Sequence, residues 1–339
     1  MRADTRRVPE SPTIVSRLSH LTFGLWFSFF RWMAQTLPTA WVARLAAATA
    51  ERAIWERESV HDAIVENVAS VLDLSPSDRR VAETGRAMVS NHSRLWIDLL
   101  RYTSRSDVNP HALVASRLGH ERLVEAARQG TGAILLSAHV GNYELGGLFL
   151  RDFGASAAVA YIPDPSPVIE RNRAEARRRI GVEGIPVTSS PFAFVPLLRA
   201  LREGHFVAMQ GDRDVSGTGR TLPFFGRTAS FPVGPFRLAA VAGVPIFPVF
   251  VLMEPDGRYR TVVETPIRLG LAPGSRSEPD EGELSSAMER WVAILSRVIR
   301  ESPEQWYLFT RFWETESPSS LYSALPPRAA PRPLRHGRC

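Results

Sequence analysis

The segment Ser137-Ala138-His139-Val140-Gly141-Asn142-Tyr143-Glu144 sets an imidazole and a carboxylate on either side of a Gly-Asn turn, with four residues between them. Histidine is the side chain whose ordinary titration lies near neutral pH, so His139 is a candidate general base. A carboxylate against the ring would fix its tautomer and stabilise the imidazolium, and Glu144 is the candidate for that role. Asn142 is a favoured helix N-cap, and the N–H groups of the turn and of the following helix would face a developing oxyanion. The plainer reading is a locally satisfied histidine at a strand end, with Glu144 complementing a helix dipole.

A second cluster is Gln210-Gly211-Asp212-Arg213-Asp214. Asp212 and Asp214 together would suit the divalent cation of a metal-dependent glycosyltransferase. Alternatively, Arg213 is an anion or carbonyl anchor held by its flanking acids, or the segment is a surface turn with local salt bridges. Gly234-Pro235 opens a helix, where free N–H groups attract anions; a plain loop-to-helix junction is the simpler account. Arg171, Arg173, Arg177, Arg178 and Arg179 share one predicted helix, and no nucleic-acid-binding motif accompanies them. They read as a solvated face, unless one arginine turns into the site.

These groups need elements to hold them. Ala133-Ile134-Leu135-Leu136 is a short apolar run, the mark of a buried strand, and His139 leaves its end. A helix over 143–153, a strand over 155–161, a helix over 168–180 and a weak strand over 184–187 are expected next. A helix over 192–203 ends at Gly204, and the strand 205–210 delivers Asp212. A short helix (235–242), strands over 246–253 and 259–266, and a long amphipathic helix over 283–302 complete the pattern. Alternating strands and helices predict an α/β fold: a mainly parallel mixed sheet flanked by helices. Ligands of such sheets bind beyond the carboxyl ends of the strands, where His139 and Asp212 fall.

Residues 40–102 carry helical periodicity, broken at Ser75-Pro76-Ser77. Upstream, Leu21 to Phe30 reads LTFGLWFSFF, followed by Arg31 and Trp32. The run is short for a spanning helix and rich in interfacial aromatics, so a membrane-anchoring helix is expected, with packing on the domain's own core as the alternative. A signal peptide fits poorly, because Arg31 and Trp32 follow where small residues belong. The predicted organisation is an anchoring helix (1–38), a helical region (39–128), an α/β core (129–316) and a disordered tail (317–339).

With 339 residues, 44% of them apolar and 22% charged, the chain can bury a sizeable core, which excludes collagenous, disulfide-rich and polytopic membrane classes. The single cysteine, Cys339, permits no internal disulfide. All 41 basic residues are arginine. There is therefore no Schiff-base or P-loop lysine, and anions must be met by guanidinium groups, backbone N–H groups or helix N-termini. The net charge of +6 suits anionic partners.

The block Leu135 to Gly147 resembles the His-four-residues-acid signature of the lysophospholipid acyltransferase superfamily. It is most similar to the branch of bacterial lipid A late acyltransferases and phosphatidylinositol mannoside acyltransferases. Arg177 to Gly181, Asp212-Arg213, Phe224-Phe225-Gly226, Gly234-Pro235 to Gly243-Val244-Pro245, Pro303-Glu304-Gln305-Trp306 and Phe312-Trp313 follow in the same order. The resemblance spans about residues 14–316. It implies an O-acyltransferase that moves a fatty acyl group from acyl-CoA or acyl-carrier protein to a hydroxyl of a glycolipid or lysophospholipid. It implies no metal or organic cofactor and no nucleic-acid partner, with the enzyme at the cytoplasmic face of the cell's inner membrane. It further implies His139 as base, Glu144 as its partner, and Arg177, Asp212, Arg213, Gly226 and Gly234 at the substrate site. The Gly141-Asn142-Tyr143 turn is closer to the mannoside-acyltransferase pattern, so the acceptor stays open. A non-catalytic lipid-binding protein is the remaining alternative.

Overall fold

The computed structural model describes residues 28–55, 57–102, 110–150, 153–164, 166–187, 192–271 and 278–313. The expected tail (317–339) and most of the expected anchor lie outside these residues.

Seven strands form one sheet: β1 (Val114–Leu118), β2 (Ala133–Ser137), β3 (Ala157–Tyr161), β4 (Val182–Pro186), β5 (Phe206–Gln210), β8 (Ile246–Met253) and β9 (Tyr259–Val263), in the order β1-β9-β8-β2-β5-β3-β4. Every neighbouring pair is parallel except the β8–β9 hairpin. β6 (Arg220–Phe224) and β7 (Arg227–Phe231) form a separate antiparallel hairpin. The expected mainly parallel mixed sheet is thus present.

β2 shows why the sheet is central. Ile134 and Leu136 enter one apolar cluster, and Ala133 and Leu135 the other, as the two-residue strand period requires. The first face is covered by α8 (Val195–Arg202), α9 (Gly234–Ala242) and α10 (Glu281–Glu301), through residues such as Leu201, Phe236 and Trp291. The second is covered by α5 (Glu121–Arg128), α6 (Gly146–Leu150) and α7 (Pro167–Arg179), through Leu123, Phe149 and Ala176. A strand covered on both faces has no polar side, which is why β2 reads as a continuous apolar run.

The N-terminal helices α1 (28–36) and α2 (Thr39–Ala50) pack Phe30, Met33, Ala34, Val42 and Ala46 on Ile97 and Leu100 of α4 (Arg79–Tyr102). Their other side leaves Phe29, Trp32, Trp41 and Leu45 exposed. Over the described residues, then, the helix both packs on the domain and presents an aromatic face. No helix among the described residues is long and apolar enough to cross a membrane.

Some elements differ from expectation. α6 covers only Gly146–Leu150, because residues after Asn142 first make a turn. β1 arises inside the stretch expected to be helical; it is an edge strand whose half-exposed side chains give a weak apolar signal. β6 and β7, where no element was expected, pair because Leu222, Phe224, Ala229 and Phe231 all face the core. The hairpin turns on Phe225 and Gly226, both at positive φ (50° and 73°), the geometry of a two-residue primed turn.

One crossing of the chain holds the end of β2. Gly141 N–H donates to Gln305 O (2.9 Å), Asn142 N–H to Val251 O (2.7 Å), and Tyr307 N–H to His139 O (2.8 Å). The Gln305 amide brackets Met253, accepting its N–H at 2.8 Å and donating to its carbonyl at 2.9 Å. Asn67 of α3 (Glu58–Leu72) secures the same C-terminal strap, donating to Thr310 O (2.8 Å) and accepting from Phe312 N–H (3.0 Å).

Gly141 sits at φ +64°, and a Cβ there would lie 2.1 Å from the Val251 carbonyl oxygen. Because that neighbour is backbone, no rotamer change relieves the clash. Gly141→Ala is expected to destabilise the protein by at least about 2 kcal/mol, left-handed strain plus displacement of the strand. Thermal or urea unfolding of the pure variant checks this; wild-type stability would contradict the account.

Candidate active site

The register of β2 and β5 builds the centre. Ser137 is paired with Gln210, and Gly211 N–H donates to Ser137 O (2.8 Å), so the two chains leave the sheet side by side. Two residues on from each, His139 meets Asp212. The ring Nδ1 lies 3.0 Å from Oδ1 and 3.2 Å from Oδ2, and the His139 backbone N–H donates to Oδ2 at 3.0 Å. The Trp306 indole N–H adds a longer contact of 3.4 Å. Asp212 has no exposed side-chain surface, whereas the imidazole keeps 23% of its own.

Burial alone would push the Asp212 carboxyl up; the neighbouring His139 charge, its two N–H donors and Arg213 outweigh burial and hold it below its ordinary value. An ionised carboxylate only accepts hydrogen bonds. The ring nitrogen that faces it, Nδ1, therefore carries a proton, and Nε2 is the ring nitrogen turned away from the carboxylate.

This differs from the expected pairing of His139 with Glu144. The Glu144 carboxylate is taken by the Arg173 guanidinium, through Nε at 3.0 Å and through Nη2. Arg173 also approaches Asp164 (3.8 Å) and lies over the Trp96 ring (5.5 Å). The turn between the two residues is turned by the strap, so His139 meets the neighbouring strand's acid instead. The expected oxyanion donors are also committed elsewhere: the Gly141 and Asn142 N–H groups are bonded to Gln305 and Val251.

The basic helix α7 sends two arginines inward. Besides Arg173, Arg177 is buried, its guanidinium 4.0 Å above the Tyr161 ring at the end of β3. Its buried Nη1 has no hydrogen-bond partner among the described residues. Arg213 forms no hydrogen bond or ion pair among the described residues, although its charge acts on Asp212 and on the Tyr143 hydroxyl. Tyr143 stands edge-on to His139, ring centroids 5.4 Å apart. Gly226 is part of the hairpin turn and lines an open cavity of about 570 Å³ with Pro223, Arg227, Thr228 and Trp313. Gly234 is the first residue of α9 and is exposed; no contact around His139 involves it.

Asp214 is engaged within its own loop. Its carboxylate accepts from the N–H groups of Ser216, Gly217 and Gly219 and from the hydroxyls of Ser216 and Ser230. Its lone pairs fold the loop, while those of Asp212 serve His139. Among the described residues no three His, Cys, Asp or Glu side chains converge on a metal position.

α4 supplies groups that the helical reading passed over. His92 packs between Tyr307 (5.3 Å) and Phe309 (4.8 Å). Arg94, partly exposed, pairs one turn on with the fully buried Asp98. The visible signal was the i, i+4 spacing of opposite charges in a helix with a strong apolar face, which suggests only a surface pair.

Residues 14–315 match the family of bacterial lipid A biosynthesis acyltransferases, and the chain belongs to that family. It is an acyltransferase by that membership. Among curated relatives, the phosphatidylinositol mannoside acyltransferase of Mycolicibacterium smegmatis is 25% identical over 256 residues, 73% of this chain and 77% of the relative. A Mycobacterium tuberculosis protein of the same name is 28% identical over 236 residues, covering 67% of this chain and 72% of the relative.

Burial, reinforced by the charges of His139 and Arg173, pushes the His92 imidazole down to about 4. Its unfolded value is near 6.5, so between those limits the unfolded chain binds more protons, and stability falls as pH drops from about 6.5 toward 4. His92→Gln is expected to flatten that part of the stability profile, measured as thermal midpoint against pH. An unchanged slope would remove His92 as its source.

Proposed function

We propose that this protein transfers a fatty acyl chain from acyl-CoA or acyl-carrier protein to a hydroxyl of a membrane glycolipid of the mannosylated phosphatidylinositol type. His139 Nε2 takes the hydroxyl proton as the oxygen attacks the thioester carbonyl carbon. A tetrahedral intermediate forms, the C–S bond breaks, and the thiolate leaves with the proton carried by His139. Asp212 fixes the reactive tautomer and balances the imidazolium. Glu144 orients Arg173, and Arg177 and Arg213 are the cations offered to substrate, the latter for the oxyanion or the donor's phosphate. The observation that carries the reading is the 3.0 Å contact of the reachable His139 ring with the buried Asp212 carboxylate. The relatives' names support the choice of acceptor.

His139→Ala is expected to lower turnover about 100- to 10,000-fold with the fold retained. Asp212→Asn is expected to act in the same direction, and more strongly than Glu144→Gln, whose contact with the ring is indirect. Asp214→Asn is expected to affect stability first, and EDTA to leave activity unchanged. The assay is mass-spectrometric detection of the new ester from long-chain acyl-CoA and phosphatidylinositol mannoside. Full activity of His139→Ala would refute the general-base role, and EDTA-sensitive activity restored by Mg²⁺ would favour the metal-dependent alternative.

The exposed Phe29, Trp32, Trp41 and Leu45 support attachment to the cytoplasmic face of the membrane, aided by the positive net charge. Trp32→Ser with Trp41→Ser is expected to weaken co-sedimentation with anionic vesicles while leaving the fold intact. Undiminished binding would move the membrane contact elsewhere.

A further inference from the structure

We infer that Asp98 and Tyr259 are positioning residues for acyl transfer, acting through Asn142 on the turn that follows His139; the inference rests on the proposed general-base role of His139. Arg94 Nε donates to both Asp98 oxygens at 2.8 Å. The Tyr259 hydroxyl donates to Asp98 Oδ2 and accepts from Asn142 Nδ2 at 3.0 Å. Asn142 Oδ1 accepts from Leu145 N–H at 3.2 Å. Asp98, Tyr259 and Asn142 are all buried, at 0%, 1% and 3% exposure.

Every proton in this chain has one place to go. Burial raises the Asp98 carboxyl and the Arg94 guanidinium opposes that rise; the Tyr259 hydroxyl, which keeps its proton, donates to it. The Tyr259 oxygen then has only lone pairs to offer, so it selects the NH₂ side of the Asn142 amide. The amide oxygen is left facing Leu145 N–H, which closes the turn carrying Tyr143 and Glu144. A helix on one side of the sheet thereby sets the side-chain orientation of a residue three positions beyond the base. Burial is the largest influence on Tyr259 and, with the Asp98 charge, holds its hydroxyl well above the ordinary range, so the donor persists across any assay pH.

A stability role alone explains the chain poorly. Replacing a buried ion pair by apolar groups is often neutral or favourable, so such pairs are weak sources of stability. Here the pair determines which way an amide faces, and that amide belongs to the same turn as the base. Hydrogen bonds in sequence polarise one another, so the members are expected to act as a unit.

The test is a double-mutant cycle in the full-length chain, using Tyr259→Phe, Asn142→Ala and the double variant. Steady-state kinetics use long-chain acyl-CoA and phosphatidylinositol mannoside, well below each thermal midpoint. Each single variant is expected to lower kcat about tenfold, with KM within about twofold. The double variant is expected to be no worse than the weaker single, because both cut the same chain. Losses that multiply in the double variant, or a kcat within about twofold of wild type for Tyr259→Phe, would overturn the inference. If Tyr259→Phe does not accumulate as folded protein, Asn142→Ala decides: a loss confined to kcat supports positioning, and an unchanged kcat refutes it. His139→Ala is measured alongside. Inactive His139→Ala with normal Tyr259→Phe defeats the positioning role alone, whereas active His139→Ala defeats the reading on which it rests.

Discussion

A carboxylate removed wholly from water must be either protonated or fully bonded, and Asp212 is bonded. Two N–H groups of one residue, His139, meet it, and an indole N–H closes the remaining side. That single charge explains much of the architecture around it. It requires β2 and β5 to be adjacent and in register, so that residues two beyond each strand meet. It also requires Trp306 on the strap, anchored through Gln305 and Asn67. An unpaired Asp212 would cost several kcal/mol, so the same contacts that orient the His139 ring also select the native arrangement.

The absence of lysine shapes the rest. Arginine stays charged when buried and binds carboxylates through a planar fork, whereas a buried lysine readily loses its proton. Arg94 on Asp98, Arg173 on Glu144 and Arg177 on the Tyr161 face all use planarity as well as charge. The site is consequently framed by cations that no pH change near neutrality will alter.

How much of this was legible depended on distance along the chain. The strands around His139 and Asp212 were readable because buried parallel strands are continuous apolar runs with abrupt ends. The positions of both residues at those ends followed directly. Their pairing did not, because strand order is a property of the whole sheet; nothing local in residues 137–144 or 210–214 shows that β2 and β5 are neighbours. Local spacing favoured Glu144, since a residue one turn away is the natural partner when only the chain is visible. The strap, which pulls Gly141 and Asn142 away from the oxyanion role, comes from residues 303–312 and was equally hidden. β1 was missed because an edge strand carries few buried residues, and the β6–β7 hairpin because its buried residues are interrupted by Pro223 and by the Phe225-Gly226 turn. Tyr259 gave no signal at all: a tyrosine opening a strand reads as β-propensity, not as one link between a helix and a turn.

The strap also sets an order of events during synthesis. The His139 carbonyl waits for the Tyr307 N–H, about 170 residues later in the chain. At ribosomal rates of about 5–20 residues per second, that gap is roughly ten to thirty seconds. Asp212 follows His139 by 73 residues, and from then on the nascent chain holds both but lacks Gln305 to bracket β8 and Trp306 to cover the carboxylate. The central strands meanwhile emerge as bare apolar segments with open edges. Folding of the sheet is therefore bound to the arrival of a segment late in the order of synthesis, and His139 acquires its final surroundings only once that segment has docked.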